Sequence, residues 1–197
     1  MAAKKILTLV GGISKNSLNQ KAFRMMKELA PKEFELQTFD ITKLPFFNYD
    51  DENNPPQVAA DFKKMVEEAD AILFITPEYN RSFPGVLKNA IDWASRPYGQ
   101  SKWKGKKAAV MGASIGAIGT FGAQHHLRQV LAYLDVEVMG QPEFYFNAGK
   151  AFNEQGECKD ESTLKFAKDY WTAFEKFLKA HEQTTSPKQQ KQNEAQM

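Results

Sequence analysis

Residues 71–97 read AILFITPEYNRSFPGVLKNAIDWASRP, and the fold is decided here. Ala71 to Thr76 is apolar almost without a break. A strand of this kind is buried on both faces, as in a parallel sheet covered by helices on either side. The stretch from Thr76 to Gly85 carries Pro77, Pro84 and a cluster of polar and aromatic side chains, the composition of a stiff loop. Pro84 is expected to be the first residue of the next helix, where its missing N–H costs nothing. Val86 to Ala94 continues that helix. The segment is therefore one strand, one constrained loop and one helix.

The same alternation recurs on both sides. Ile6 to Val10 is a short β-rich run. From Ser17 to Leu29, the residues Leu18, Ala22, Met25, Met26 and Leu29 return at helical spacing. Phe34 to Phe39 alternates as a strand with one wetter face, Asp40 to Pro56 is a polar, proline-rich connection, and Val58 to Ala69 is helical by period. Ala108 to Gly112 is a further buried strand, Gly122 to Leu134 a helix and Glu137 to Met139 a weak strand. A last amphipathic helix runs from about Ser162 to Ala180. This βαβαβαβαβα order implies an α/β three-layer sandwich: a five-stranded parallel sheet with helices on both faces. Right-handed crossovers favour the flavodoxin-like strand order 2-1-3-4-5. Residues 1–181 are read as one domain and 182–197 as a polar tail rich in Gln, Lys and Thr.

Composition narrows the function. The chain has 197 residues, 42% hydrophobic and 12% aromatic, which is ample for a core; a chain of this size buries about 70% of its unfolded surface. Its 26 basic and 24 acidic side chains leave a net charge of +2, so no strong overall field directs it to nucleic acid or an anionic membrane. The single cysteine, Cys158, excludes an internal disulfide and a Cys-built metal site and suits a cytoplasmic setting. It lies in a polar stretch with no adjacent histidine and is read as an incidental thiol. Three histidines with no acidic cluster argue against a metal centre. No stretch reaches the ~20 apolar residues of a membrane helix. MAAKKILTLV, at the start, reads as a buried strand rather than a signal peptide.

In an open parallel sheet, ligands bind beyond the carboxyl ends of the strands at the switch in strand order, here between the first and third strands. Three loops meet there. The first, GGISKNSLN, has Gly11 and Gly12 for close backbone approach, Lys15 for charge, and Ser14, Asn16, Ser17 and Asn19 as donors at a helix N-terminus suited to a phosphate. It is neither G-x-G-x-x-G nor G-x-x-x-x-G-K-[ST]; the alternative is an ordinary turn capped by Ser17. The second loop sets Glu78, Tyr79 and Asn80 behind Pro77, a cluster suited to a flat heterocycle; alternatively, Asn80 and Ser82 simply cap the next helix. The third, GASIGAIGTFG, offers Ser114 and glycines, among them Gly116, that let backbone lie flat on a ring, or form a flexible connection. His125 and His126 invite an acid–base reading, but no carboxylate partner is visible beside them.

These residues resemble those of the NADPH-dependent FMN reductase family, which includes bacterial quinone, chromate and azo-dye reductases. Thr76 to Pro97 is similar almost residue for residue to the family's T-P-E-Y-N-x-S-x-P-G-x-L-K-N-A-I-D-W segment. The first loop resembles G-S-x-R-x-x-S-x-N. Ala123 to Leu131 (AQHHLRQVL) and the region from Phe152 (FNEQGE) are similar as well. The likeness covers about residues 4 to 180.

The resemblance implies FMN held without a covalent bond, with NADPH or NADH as co-substrate and a quinone or similar small acceptor. By this likeness Ser17 and Asn19 hold the phosphate together with the loop amides, and Gly12, Ser14, Lys15, Asn16 and Leu18 of the same loop also belong to the cofactor site. Pro77, Glu78, Tyr79 and Asn80 wrap the ring and ribityl chain, and Ser114 and Gly116 approach from the third loop. It also implies that the flavin carries the chemistry without a catalytic side chain, in a homodimer or homotetramer. Phe83, Trp93, Pro97 and Trp103 would line an interface or roof the cofactor, with core packing the alternative for Trp93. Two departures stand out. Gly12 and Ser14 replace the family's usual serine and arginine, removing a hydroxyl and a bidentate phosphate ligand for which Lys15 would substitute. Arg81 stands where the family is often aromatic or small, either attracting the NADP 2′-phosphate or an anionic substrate, or merely solvated. Two other functions share the fold: an electron carrier, and a binding module that has lost flavin.

Overall fold

A strand that sends apolar side chains to alternate faces needs a helical layer against each face. The computed structural model, which describes residues 3–182, is built this way. Strands β1 (Lys4–Val10), β2 (Phe34–Thr38), β3 (Ala71–Ile75), β4 (Lys107–Ser114), β5 (Glu137–Val138) and β6 (Phe144–Asn147) form one sheet. Every pairing is parallel, in the order β2-β1-β3-β4-β5, with β6 also on β4. The helices are α1 (Leu18–Glu28), α2 (Gln57–Glu68), α3 (Gly85–Ala94), α4 (Phe121–Tyr133) and α5 (Glu161–Glu182). The expected strand order is thus observed. All of the expected tail except its first residue lies outside the described residues.

Strand β3 is buried throughout. Ala71, Leu73 and Ile75 join a core with Met26 of α1 and Tyr170, Trp171 and Phe174 of α5. Ile72 and Phe74 join the opposite core with Phe62 of α2, Leu87 of α3 and Leu127 of α4. Buried aromatics with polar atoms are satisfied: Tyr170 Oη donates to Val110 O at 2.9 Å and Trp171 Nε1 to Met26 O at 2.9 Å. Trp93 and Trp103 are core residues at 1% and 0% exposure, which is the core-packing alternative for Trp93 and corrects the interface or roof role expected of Trp103. Pro84 caps α3 rather than opening it, its carbonyl accepting from Leu87 and Lys88.

The fifth strand position is filled by two pieces, and the second was missed from sequence. β5 pairs with Lys107 and Ala108, while β6 pairs with Met111 to Ser114. Gly140, Gln141 and Pro142 separate them, and Pro142 has no N–H for a ladder. Helix α4 holds both sides of the break. Arg128 Nη1 donates to Met139 O and Gln124 Nε2 to Phe144 O, each at 2.8 Å. The 40–56 connection is similarly pinned. Asn89 Oδ1 accepts from Phe47 N at 2.8 Å, and Asn89 Nδ2 and Trp93 Nε1 both donate to Pro45 O.

Candidate functional site

The three loops do come together beyond the carboxyl ends of β1, β3 and β4. Gly11 N donates to Ile75 O at 2.8 Å and Thr76 N to Met111 O at 3.0 Å, so each loop leaves the sheet tied to its neighbour. Gly112 permits the closest approach. A Cβ there would stand 2.1 Å from Thr76 O and 2.3 Å from Thr120 Oγ1.

In the first loop, Ser17 caps α1, its Oγ accepting from Asn19 N at 3.2 Å and Gln20 N at 3.4 Å. Gln20 Nε2 returns to Gly12 O at 3.1 Å. Ser17 is buried, Leu18 packs against the α1–α5 core, and Ile13, Ser14, Lys15 and Asn16 are exposed around the turn. Among the described residues no acceptor takes the backbone N–H of Ile13, Ser14, Lys15 or Asn16. Four open amides and an ammonium group at a helix N-terminus form an anion cradle. The Asn19 side chain is turned elsewhere. Its Nδ2 donates to Ala113 O at 3.0 Å and its Oδ1 accepts from Ala113 N at 2.9 Å, both buried. This amide fastens α1 to the end of β4.

The second loop is a closed hairpin turn. Tyr79 and Ser82 exchange backbone hydrogen bonds at 2.9 and 3.0 Å. Both central residues are left-handed, Asn80 at φ 51° and Arg81 at φ 64°. Pro77 is buried, whereas Tyr79 and Asn80 are exposed. Glu78 points to the loop's support: Oε1 accepts from Arg81 Nη1 at 2.9 Å and Oε2 from Ala123 N, in the first turn of α4, at 3.0 Å. In the third loop, Ser114 Oγ accepts from Gly116 N at 2.8 Å, while Ile115 and Gly116 face solvent. Exposed Ile13, Tyr79, Ile115 and Ile118 give the loops an apolar rim, suited to a flat ring. A surface depression of about 520 Å³ runs along β6 and the start of α5 and includes none of the three loops, and another of about 510 Å³ reaches them only at Ile115. The candidate site is the open crest of the sheet instead.

The histidines do have a carboxylate neighbour, which sequence reading missed because the fold brings it from β6's approach. His125 Nε2 lies 3.7 Å from Glu143 Oε1 and 3.0 Å from Tyr145 Oη. Burial and the Glu143 carboxylate push the Tyr145 hydroxyl well above the ordinary phenol range, so it stays protonated. His126 Nδ1 pairs with Ser82 Oγ at 2.8 Å and bolsters the second loop. Burial pushes the Cys158 thiol up, leaving little thiolate. Among the described residues no His, Cys, Asp and Glu group is placed to hold a metal, and no helix is long and apolar enough to cross a membrane.

Comparison with known proteins accords with this arrangement. The family model for NADPH-dependent FMN reductases matches residues 4–151. A 2-hydroxy-1,4-benzoquinone reductase from a Burkholderia species is 46% identical over 169 residues, covering 85% of this chain and 92% of its own. A quinone reductase from Pseudomonas putida is 44% identical over 176 residues, covering 88% of this chain and 94% of its own. Among solved structures, the flavoenzyme NAD(P)H:(acceptor) oxidoreductase FerB from Paracoccus denitrificans superposes with a TM-score of 0.86 at 41% identity, covering 91% of this chain and 99% of that one.

Proposed function

Because this chain belongs to the NADPH-dependent FMN reductase family, we propose that it is an NAD(P)H-dependent FMN oxidoreductase that reduces a quinone or similar small acceptor, such as chromate or an azo compound. The observation that carries this reading is the open amide row from Ile13 to Asn16, set beside an apolar rim of Ile13, Tyr79 and Ile115. FMN is an anionic phosphate joined to a flat heterocycle, and these two surfaces match its two ends. When bound, FMN would supply the redox chemistry: it would take a hydride from reduced nicotinamide and pass its two electrons and one proton, with one further proton drawn from solvent, to the quinone.

The chain's own residues bind and orient. The amides of Ile13 to Asn16 and the Lys15 ammonium receive the phosphate. Pro77 and the Tyr79–Ser82 turn border the ring, and Ser114 and Gly116 carry the third loop against it. The Asn19–Ala113 clamp and the Glu78 bridge fix the three loops in mutual register. Proton transfer needs no side chain at the reacting atoms, since the crest is open to water. We further propose a cytoplasmic homodimer or homotetramer. Support for self-association comes from large exposed aromatics, with Phe46 at 86%, Tyr98 at 84% and Tyr133 at 83% exposure.

The test is a visible spectrum of the protein after incubation with FMN and desalting, followed by anaerobic NADPH. Retained flavin bands that bleach with NADPH, and steady-state NADPH oxidation with a quinone, are expected. Retained flavin that neither nicotinamide bleaches would instead indicate an electron carrier. A protein that never retains flavin would be a binding module.

A further inference from the structure

NADPH and NADH differ only by one phosphate on the adenosine ribose. A residue that tells them apart must be cationic, exposed, held in a fixed direction and outside the cradle for the flavin phosphate. We propose that Arg81 is this residue, receiving the 2′-phosphate and giving the protein a preference for NADPH. The proposal rests on the reductase reading above.

The backbone shows that Arg81 is not there for the turn's sake. A two-residue turn with both centres left-handed favours asparagine and glycine. Asn80 meets that preference, but Arg81, at φ 64°, places a β-carbon where it crowds the following carbonyl. Glycine would close the same turn without strain. The side chain is also aimed. Glu78, its carboxylate only 9% exposed, grips one guanidinium nitrogen at 2.9 Å, while the arginine remains 74% exposed. Among the described residues no other acceptor takes a proton from this fork.

Charge balance leaves the fork attractive to an anion. The Glu78 carboxylate is shared between Arg81 and the first-turn amide of Ala123, and that helix end carries partial positive charge of its own. One negative group thus faces more than one positive, and the outward edge of the guanidinium is left to meet a phosphate in bidentate fashion. The other cations near the crest fit less well. Lys15 stands in the cradle assigned to the flavin phosphate. Lys150, across the crest beside Ile115 and Asn147, is a point charge with no fork.

An aromatic surface adjoins the arginine. A Cβ on Gly122 would sit 3.2 Å from Arg81 O, so the turn lies against the start of α4. The preceding residue, Phe121, is 48% exposed and backed by His125, with ring centres 4.3 Å apart. An adenine ring on Phe121 would bring its ribose phosphate toward Arg81.

The experiment uses FMN-loaded protein and compares KM for NADPH and NADH in wild type, Arg81→Gly and Arg81→Lys, with inhibition by 2′,5′-ADP and by 5′-AMP. Wild type is expected to have the lower KM for NADPH. Arg81→Gly, which suits the turn, should raise the NADPH KM by about tenfold or more and the NADH KM far less, so that the preference for NADPH is abolished. Arg81→Lys should fall between. 2′,5′-ADP should lose a similar factor against Arg81→Gly, while 5′-AMP does not. The proposal is overturned if wild type shows no NADPH preference, if both nicotinamide KM values move together, or if 2′,5′-ADP inhibits Arg81→Gly as well as wild type. Flavin retention and bleaching by NADH are read first: if they fail in wild type, the reductase reading falls and this inference with it. If they hold, only Arg81 is in question.

Discussion

The Ser17 hydroxyl fills the space that a side chain on residue 12 would need: a Cβ on Gly12 would stand 2.2 Å from Ser17 Oγ and 3.1 Å from the Asn19 Cβ. Gly12 is therefore more than the loss of a serine hydroxyl. It lets Ser17 fold over the loop and cap α1. Replacing Gly12 by Ala or Ser would force Ser17 to rotate away from the Asn19 and Gln20 amides. The lost cap should lower stability by about 1 kcal/mol, a few degrees of Tm for a chain of this size. FMN retention after desalting should fall as well, even for Gly12→Ser, because the loop amides would be displaced. Thermal melts and flavin-to-protein absorbance ratios check both effects. Unchanged retention in Gly12→Ser would show that Ser17 moves without disturbing the cradle.

Asn19 carries a second expectation. Its amide meets both backbone groups of Ala113, deep in the structure. Asn19→Ala would strand a buried N–H and a buried C=O, each costing the desolvation of an unmade bond. The expected loss is roughly 2–4 kcal/mol, read by urea denaturation of the flavin-free protein. A residue whose side chain serves the phosphate alone would leave that flavin-free stability nearly unchanged, so the measurement separates clamp from ligand.

These two residues also show where sequence reading reaches its end. The core strand from Ala71 to Thr76 and the helix after Pro84 are legible because their signals are local: an unbroken apolar run, a proline, then a helical period. The crest location follows from strand order alone. Asn19 sits rightly in the first loop, but its partner lies 94 positions away, and no local pattern announces a side chain paired with distant backbone. Glu78 is alike, meeting Ala123 45 positions on. β6 is hidden for another reason. Gly140 to Pro142 looks like the end of the weak strand, and the ladder resumes only because Gln124 and Arg128 of α4 hold the carbonyls on either side. The Glu143 neighbour of His125 depends on that same resumed strand.

The start of α5 should respond to acid. Asp160 accepts from Thr163 N at 2.9 Å and Ser162 Oγ at 2.8 Å, and from the Thr163 hydroxyl. These bonds favour the carboxylate and hold its pKa below the ordinary 3.8. A carboxyl group whose folded pKa is depressed adds stability above its unfolded pKa and loses it as pH falls through the folded value. The Tm difference between wild type and Asp160→Ala should therefore be full above about pH 5 and shrink steadily below pH ~4. A difference that stays constant down to strong acid would show that the cap does not depend on the charge.

Lys15 tests the cradle electrostatically. Its ammonium is exposed beside four amides without protein acceptors, so its attraction to a phosphate acts through water and is screened by salt. An exposed pair of this kind contributes at most about 1 kcal/mol, so Lys15→Ala should weaken FMN binding by about two- to fivefold at low ionic strength. In roughly 1 M salt, where the Debye length shrinks to about 3 Å, wild type and variant should converge. Titration of FMN fluorescence quenching at the two salt concentrations measures this. The amides are fixed dipoles of the backbone, so the binding that survives in high salt is their share. Convergence with substantial remaining affinity would assign the phosphate chiefly to the Ile13–Asn16 backbone. A loss far above fivefold, persisting in salt, would mean that the lysine folds over the phosphate and is buried with it, replacing the arginine that this loop lacks.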